Sequence, residues 1–187
     1  MNLPNLLTLS RILLIPFFVL IYVIPGPGTY VYAAGLFALA AFTDWLDGYL
    51  ARRLDQTTPF GAFLDPVADK LIVVSALAIL IGHHATLWVT LPGTVIIGRE
   101  IVISALREWM AEMNRRGVVN VTWIGRVKTT LQMVAILVLL ANPPGLDSPW
   151  VMAGIVMLYA AALLTLWTMV LYLRAAWPTL RSGFEQR

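Results

Sequence analysis

The sequence predicts an all-α integral membrane protein with six transmembrane helices. Three observations predict this fold class: the composition, the apolar runs along the chain, and the confinement of basic residues to alternate connections. Of the 187 residues, 59% are hydrophobic and 12% are charged, and the mean hydropathy is +0.80. A soluble domain carries roughly 25% charged and 45–50% apolar residues. Six spans of about 20 residues would use roughly two-thirds of the chain, so we predict a single membrane domain over residues 1–187.

The apolar runs give the approximate positions of the helices. The first run ends in a strong breaker at residues 25–28, and we interpret it as a retained helix because no small-residue cleavage site for a signal peptide follows. The third helix is predicted to begin near Asp65, because Pro66 suits a first turn better than a helix interior. The six predicted helices cover about residues 6–24, 30–50, 66–82, 87–106, 129–141 and 151–173.

The basic residues predict the orientation. The connections at residues 25–29, 83–86 and 142–150 contain no Lys or Arg. The other two connections and the C-terminal tail carry Arg52, Arg53, Arg107, Arg115, Arg116, Arg126, Lys128, Arg174, Arg181 and Arg187. By the positive-inside rule, both termini and these two connections are cytoplasmic.

Charge and cysteine content exclude several function classes. The net charge of +3 is explained in a membrane chain by topology and by contact with anionic lipid, so we expect no nucleic-acid binding. The chain has no cysteine, which excludes disulfides, zinc thiolates and thiol nucleophiles.

Four aspartates lie at the cytoplasmic ends of the second and third predicted helices: Asp44, Asp47, Asp65 and Asp69. One Asp costs about 2.5–3.5 kcal/mol at the centre of a membrane helix and less near the interface. Four clustered carboxylates also repel one another unless a cation lies among them. Mg²⁺ commonly binds a few carboxylates together with substrate phosphate and water. Because no cysteine or well-placed histidine is present, the cluster predicts an all-oxygen site for Mg²⁺ or Mn²⁺ rather than Zn²⁺.

Two small residues share a helix face with the first pair of aspartates. At 100° per residue, Gly48 and Ala51 lie on the same face as Asp44 and Asp47. Small residues in membrane helices often serve tight helix packing. Beside four carboxylates, we favour the interpretation that they leave room for a bulky ligand.

The spacing Asp-x2-Asp-Gly-x2-Ala-Arg-x8-Gly-x3-Asp-x3-Asp resembles the signature of the CDP-alcohol phosphatidyltransferase family. The sequence matches all eight fixed positions, at Asp44, Asp47, Gly48, Ala51, Arg52, Gly61, Asp65 and Asp69. The stretches at residues 4–11, 98–110 and 123–129 further resemble bacterial members that use glycerol 3-phosphate as the acceptor. The resemblance covers essentially the whole chain.

The resemblance implies an activity and a set of residue roles. A phosphatidyl group would pass from CDP-diacylglycerol to glycerol 3-phosphate with release of CMP, at an active site on the cytoplasmic face. Two divalent cations, Mg²⁺ or Mn²⁺, would be held mainly by Asp44, Asp47 and Asp65. By family analogy, Asp69 would act as the base and also touch the second metal. The implied CDP-binding residues are Gly48, Ala51, Arg52 and Gly61.

The resemblance also implies a bacterial inner-membrane location among membrane lipids, and a homodimer. A phosphorylated acceptor needs its own cationic subsite, for which Arg107, Arg126 and Lys128 are the best candidates. The same three residues could instead serve only as topology determinants. Because Glu100 and Arg107 share a helix face, we hypothesise that Glu100 orients Arg107.

The sequence leaves several alternatives open. Asn5, Thr8 and Arg11 could line the cavity or merely anchor an interfacial turn. The acceptor could be inositol phosphate, serine or another alcohol. From a different class, a divalent-cation transporter would also carry intramembrane carboxylates, but it would be expected to place them near the midplane. A structural membrane subunit would leave the cost of the aspartates unexplained.

Overall fold

The computed structural model describes residues 3–54, 58–112 and 123–184, and these ranges are mostly helical. In chain order the helices are α1 (Leu3–Val23), α2 (Thr29–Leu54), α3 (Pro59–His84), α4 (Leu87–Glu112), α5 (Trp123–Leu140) and α6 (Pro149–Phe184). The predicted all-α fold class is confirmed, and the described ranges contain six helices.

Several helices are suited to cross a bilayer, which makes the chain a multi-pass membrane protein. Four stretches are long and apolar enough: Asn5–Val23, Leu87–Met110, Trp123–Leu140 and Pro149–Trp177. The helices α2 and α3 have 26 residues each, and at about 1.5 Å per residue they too are long enough to span. They carry the predicted aspartate cluster, and the six-span topology stays a prediction.

The predicted start of the third helix at Asp65 is wrong. The helix α3 begins at Pro59, and Thr58 is its N-cap, because the Thr58 hydroxyl accepts a hydrogen bond from the Gly61 amide at 3.0 Å. A threonine cap followed by proline at the first helical position is a strong start signal. Pro66 is accommodated inside the helix, so Asp65 and Asp69 stand four residues apart on one helical ridge.

The fifth and sixth helices also extend further than predicted. The helix α5 begins at Trp123 rather than near residue 129, and α6 continues to Phe184 rather than ending near residue 173. The added segments contain Arg126, Lys128 and Arg174. These charged residues lie outside the apolar runs from which the helix limits were predicted. These helix ends lie on the side of the protein predicted to be cytoplasmic.

Packing divides the helices into neighbouring sets that enclose the site. The helix α1 packs against α2 and α3, while α6 packs against α5 and α4, and α3 also contacts α4 and α5. The rings of Phe18 and Phe37 meet edge-to-face at 6.1 Å between α1 and α2. The fully buried Leu77, Ile136 and Leu158 belong to the shared apolar core. In this arrangement, residues of all six helices line one cavity.

Candidate active site

A cavity of about 720 Å³ is lined by residues from all six helices. Asp44 of α2 and Asp65 and Asp69 of α3 contribute carboxylates to its lining. The helices α4 and α5 contribute three cations, Arg99, Arg107 and Lys128, and one carboxylate, Glu100. The cavity therefore combines acidic residues from one set of helices with a mainly basic group from another.

Arg11 of α1 joins the aspartates of the two neighbouring helices. Its Nη1 atom lies 2.5 Å from Asp44 Oδ1 and 2.5 Å from Asp69 Oδ1. These two oxygens are therefore no more than about 5 Å apart, because both contact the same nitrogen. The Arg11 side chain is fully buried, whereas 45% of Asp44 and 51% of Asp69 remain exposed. Arg11 thus contacts the two carboxylates from the buried side, and both carboxylates remain accessible from the cavity.

Two further polar residues of α1 fix α3 in the site. The Thr8 hydroxyl donates to Asp65 Oδ1 at 2.8 Å. One turn away, the Asn5 amide donates to Thr58 Oγ1 at 2.9 Å, at the N-cap of α3. Of the roles left open for Asn5, Thr8 and Arg11, the structure places Arg11 in the cavity lining and gives all three polar contacts with the aspartates or the α3 cap.

Gly61 lets the start of α3 approach α1 closely. A Cβ atom at this position would lie 2.6 Å from Asn5 Oδ1 and 3.2 Å from Thr58 Oγ1. The close approach expected at Gly61 is therefore made by a side chain of α1 in this structure. Its role in binding CDP stays a prediction.

The described donors fit a divalent cation in their chemistry. Asp44, Asp65 and Asp69 supply only oxygen ligands, as hard cations prefer. Within the described residues, no three acidic or histidine side chains converge as a ready-made metal site, and the Arg11 guanidinium contacts two of the three aspartates. The side chain of Asp47, the fourth predicted ligand, lies outside the described part of the structure, as do those of Ala51 and Arg52. Gly48 lies in α2, one turn beyond Asp44.

Glu100 links two of the basic residues in the cavity. Its Oε1 atom lies 2.6 Å from Arg99 Nη1 and 3.4 Å from Lys128 Nζ. Lys128 is buried, although it belongs to an exposed-looking basic segment of the sequence. Glu100 thus holds the Lys128 ammonium against α4. Its ion pairs are with Arg99 and Lys128, and the hypothesis that it orients Arg107 stays a prediction.

Arg107 is instead positioned by Tyr172 of α6. The Nε and Nη2 atoms of Arg107 donate to the Tyr172 hydroxyl at 3.2 and 2.9 Å. The guanidinium carbon lies 5.1 Å from the centre of the tyrosine ring, within the range of a cation–π contact. Arg107 is exposed, so this double contact restricts a long side chain that would otherwise be free to rotate.

The predicted acceptor residues are only partly brought together. Arg107 and Lys128 line the cavity, whereas Arg126 is exposed and is not among the residues that line it. Sequence reasoning missed Gln132, Thr168 and Tyr172, which also line it. The sequence did contain a signal for Thr168 and Tyr172, because a spacing of four places them on one face of α6 within a mainly apolar stretch.

Comparison with known proteins gives the family. The family model described as CDP-alcohol phosphatidyltransferase matches residues 1–169. The chain belongs to the CDP-alcohol phosphatidyltransferase family. The resemblance predicted from the eight signature positions is therefore confirmed.

Similar curated proteins carry a common name within this family. A protein of Pseudomonas fluorescens is 59% identical over 184 residues, covering 97% of this chain and 93% of the relative. One of Escherichia coli K12 is 55% identical over 176 residues, and one of Salmonella paratyphi A is 54% identical over 176 residues; each alignment covers 94% of both chains. All three are named CDP-diacylglycerol–glycerol-3-phosphate 3-phosphatidyltransferase.

Proposed function

We propose that this protein transfers a phosphatidyl group from CDP-diacylglycerol to glycerol 3-phosphate, giving phosphatidylglycerophosphate and CMP. The observation that carries the proposal is the pairing of two charge groups in one cavity. Carboxylates from α2 and α3 suit a metal-bound diphosphate, and the cations of α4 and α5 suit the phosphate of the acceptor. The name shared by relatives of 54–59% identity supports the same reaction.

In this proposal the aspartates bind metal and accept a proton. Asp44, Asp65 and the second signature aspartate, Asp47, would be the main ligands of two divalent cations. When bound, such cations neutralise the diphosphate and stabilise charge on both the attacking and the leaving oxygen. Asp69 would contact the second cation and accept the proton of the acceptor hydroxyl. That hydroxyl oxygen forms the new bond to the phosphatidyl phosphorus, and the bond to CMP breaks.

The remaining signature residues are assigned to the nucleotide. Gly48 and Ala51 would leave room for cytidine beside the aspartates, with Arg52 near the nucleotide and Gly61 at the start of α3. In the acceptor subsite, Lys128 and Arg107 would bind the phosphate of glycerol 3-phosphate. The Tyr172 contacts described above keep Arg107 at the cavity.

The composition of the basic group favours a phosphorylated acceptor. Arg99, Arg107 and Lys128 are opposed there by one carboxylate, Glu100, which leaves a net positive charge. Glycerol 3-phosphate and inositol phosphate carry a phosphate that uses this charge, whereas serine does not. Between the two phosphorylated acceptors, the names of the relatives favour glycerol 3-phosphate.

The proposed reaction requires a divalent cation, so its dependence on metal is a direct test. Purified protein in detergent should release CMP from CDP-diacylglycerol when glycerol 3-phosphate is supplied. Excess chelator should abolish that release, and Mg²⁺ or Mn²⁺ should restore it. Full activity in excess chelator would contradict a mechanism based on divalent cations.

We also propose that the protein lies in the bacterial inner membrane with both termini and the active site on the cytoplasmic side. Basic residues in alternate connections support this orientation. The homodimer implied by the family resemblance stays a prediction.

Single-cysteine labelling tests the orientation without background, because the chain contains no native cysteine. A membrane-impermeant reagent added outside intact cells should label an engineered site next to Asp147, in the connection between α5 and α6. It should leave a site next to Gln56 unlabelled until the membrane is opened. The reverse pattern would place the aspartates on the side away from cytoplasmic substrates.

A further inference from the structure

Arg11 is an ionised residue buried inside a membrane-type helix. It lies within the apolar stretch Asn5–Val23, and its side chain has no exposed surface. An arginine at the centre of a membrane helix costs about 2.5–3.5 kcal/mol on insertion scales, so such residues generally serve a function with a definite partner. Its partners include two aspartates of the family signature, Asp44 and Asp69.

The nitrogen of Arg11 occupies a position that a metal ion could take. Arg11 Nη1 lies 2.5 Å from Asp44 Oδ1 and 2.5 Å from Asp69 Oδ1. Mg²⁺ binds oxygen at about 2.0–2.1 Å. An ion at the position of the nitrogen would therefore need each oxygen to move inward by only about 0.4–0.5 Å.

Asp44 Oδ1 and Asp69 Oδ1 cannot fully coordinate a metal ion while they accept hydrogen bonds from the Arg11 guanidinium. Arginine offers only donors and stays protonated in proteins, so it is always available as a counter-ion for the aspartates. A divalent cation that approaches these oxygens competes with Arg11 for their lone pairs. It is also repelled by the positive charge of the guanidinium.

We propose that Arg11 is the resident counter-ion of the aspartate site. It holds Asp44 and Asp69 together before a metal binds, and it competes with the metal for their oxygens. The inference rests on the proposed metal-dependent function and adds to it a residue of α1 outside the family signature. It predicts that metal affinity without substrate is kept below the value that the carboxylates alone would give.

A purely structural role for Arg11 makes a different prediction. If Arg11 only pinned α1 to α2 and α3, its loss would loosen the site and weaken metal binding or leave it unchanged. Competition predicts the opposite sign, because removal of a neighbouring positive charge strengthens attraction to a cation. The direction of the change in affinity therefore separates the two roles.

The test is direct binding of Mn²⁺ alone to metal-free protein in detergent, measured by electron paramagnetic resonance. Arg11→Gln should lower the dissociation constant for Mn²⁺ at least about tenfold. Arg174→Gln is the matched control, since it removes the same charge from an exposed position outside the cavity, and it should leave the dissociation constant unchanged. Unchanged or weaker binding by Arg11→Gln would overturn the proposal.

A second measurement covers the case in which Arg11→Gln does not fold without metal. Arg11→Lys keeps the charge but lacks the guanidinium fork, and it should bind Mn²⁺ more tightly than wild type by a few-fold, with a lower melting temperature in chelator. Wild-type or weaker affinity in this variant would also overturn the proposal. If neither wild type nor any variant binds Mn²⁺, the metal-dependent function itself is wrong.

Discussion

Asp44→Asn and Asp65→Asn should each lower the rate of CMP release by about a hundred- to a thousandfold or more. An effect of about this size follows when an enzyme loses one preorganised group that stabilises charge in the transition state. Asparagine keeps the shape of the side chain and can still accept the hydrogen bonds from Arg11 and Thr8 that the aspartates accept in the structure. It loses the negative charge that a divalent cation requires. The rate should be measured with saturating CDP-diacylglycerol and glycerol 3-phosphate.

Asp147→Asn is the matched control for this result. Asp147 is exposed in the connection between α5 and α6, and it is not among the cavity residues, so the same substitution there should leave the rate unchanged. Melting temperatures in detergent should show that all three variants remain folded. Near-normal turnover by a folded Asp44→Asn or Asp65→Asn would remove those carboxylates from the chemistry.

Lys128→Ala should raise KM for glycerol 3-phosphate about ten- to a hundredfold while changing KM for CDP-diacylglycerol much less. A hydrogen bond to a charged group contributes about 1.5–3 kcal/mol, which corresponds to that range in binding. Tyr172→Phe should raise the same KM by a smaller factor, because it removes only the hydroxyl that positions Arg107. Initial rates with each substrate varied separately give both constants.

An acceptor subsite is identified by a rise in KM for glycerol 3-phosphate that is much larger than the change in KM for CDP-diacylglycerol. Arg126→Ala should have a smaller effect than Lys128→Ala, since Arg126 is exposed and does not line the cavity. Arg174→Ala should have none. Equal increases in both KM values for Lys128→Ala would indicate damage to a shared site or to the fold instead.

The fold class and the acidic half of the site were predictable because their signals are local. Long apolar runs specify membrane helices by length alone, and Asp44, Asp65 and Asp69 stand out because charge is costly in such helices. The spacing of the eight signature positions then gave the family. The helix ends were less predictable, because charged terminal turns such as that around Lys128 extend helices beyond the apolar run.

The residues that organise the site were harder to find because their contacts are distant in sequence. Arg11 meets Asp69 across 58 positions, and Arg107 meets Tyr172 across 65. A lone arginine near the start of a membrane helix fits an interfacial anchor equally well until its partners are known. In the same way, nothing local distinguishes Lys128, which is buried in the cavity, from Arg126, which is exposed two residues earlier.

An acceptor panel with labelled CDP-diacylglycerol and purified wild-type protein in Mg²⁺ would test the proposed reaction itself. Glycerol 3-phosphate, inositol phosphate, serine and glycerol would be offered separately, and the lipid product and CMP would be measured for each. We predict label in phosphatidylglycerophosphate with stoichiometric CMP, and little or no product from the other three. Efficient use of serine or inositol phosphate, with glycerol 3-phosphate ignored, would contradict the proposed reaction while leaving the family assignment intact.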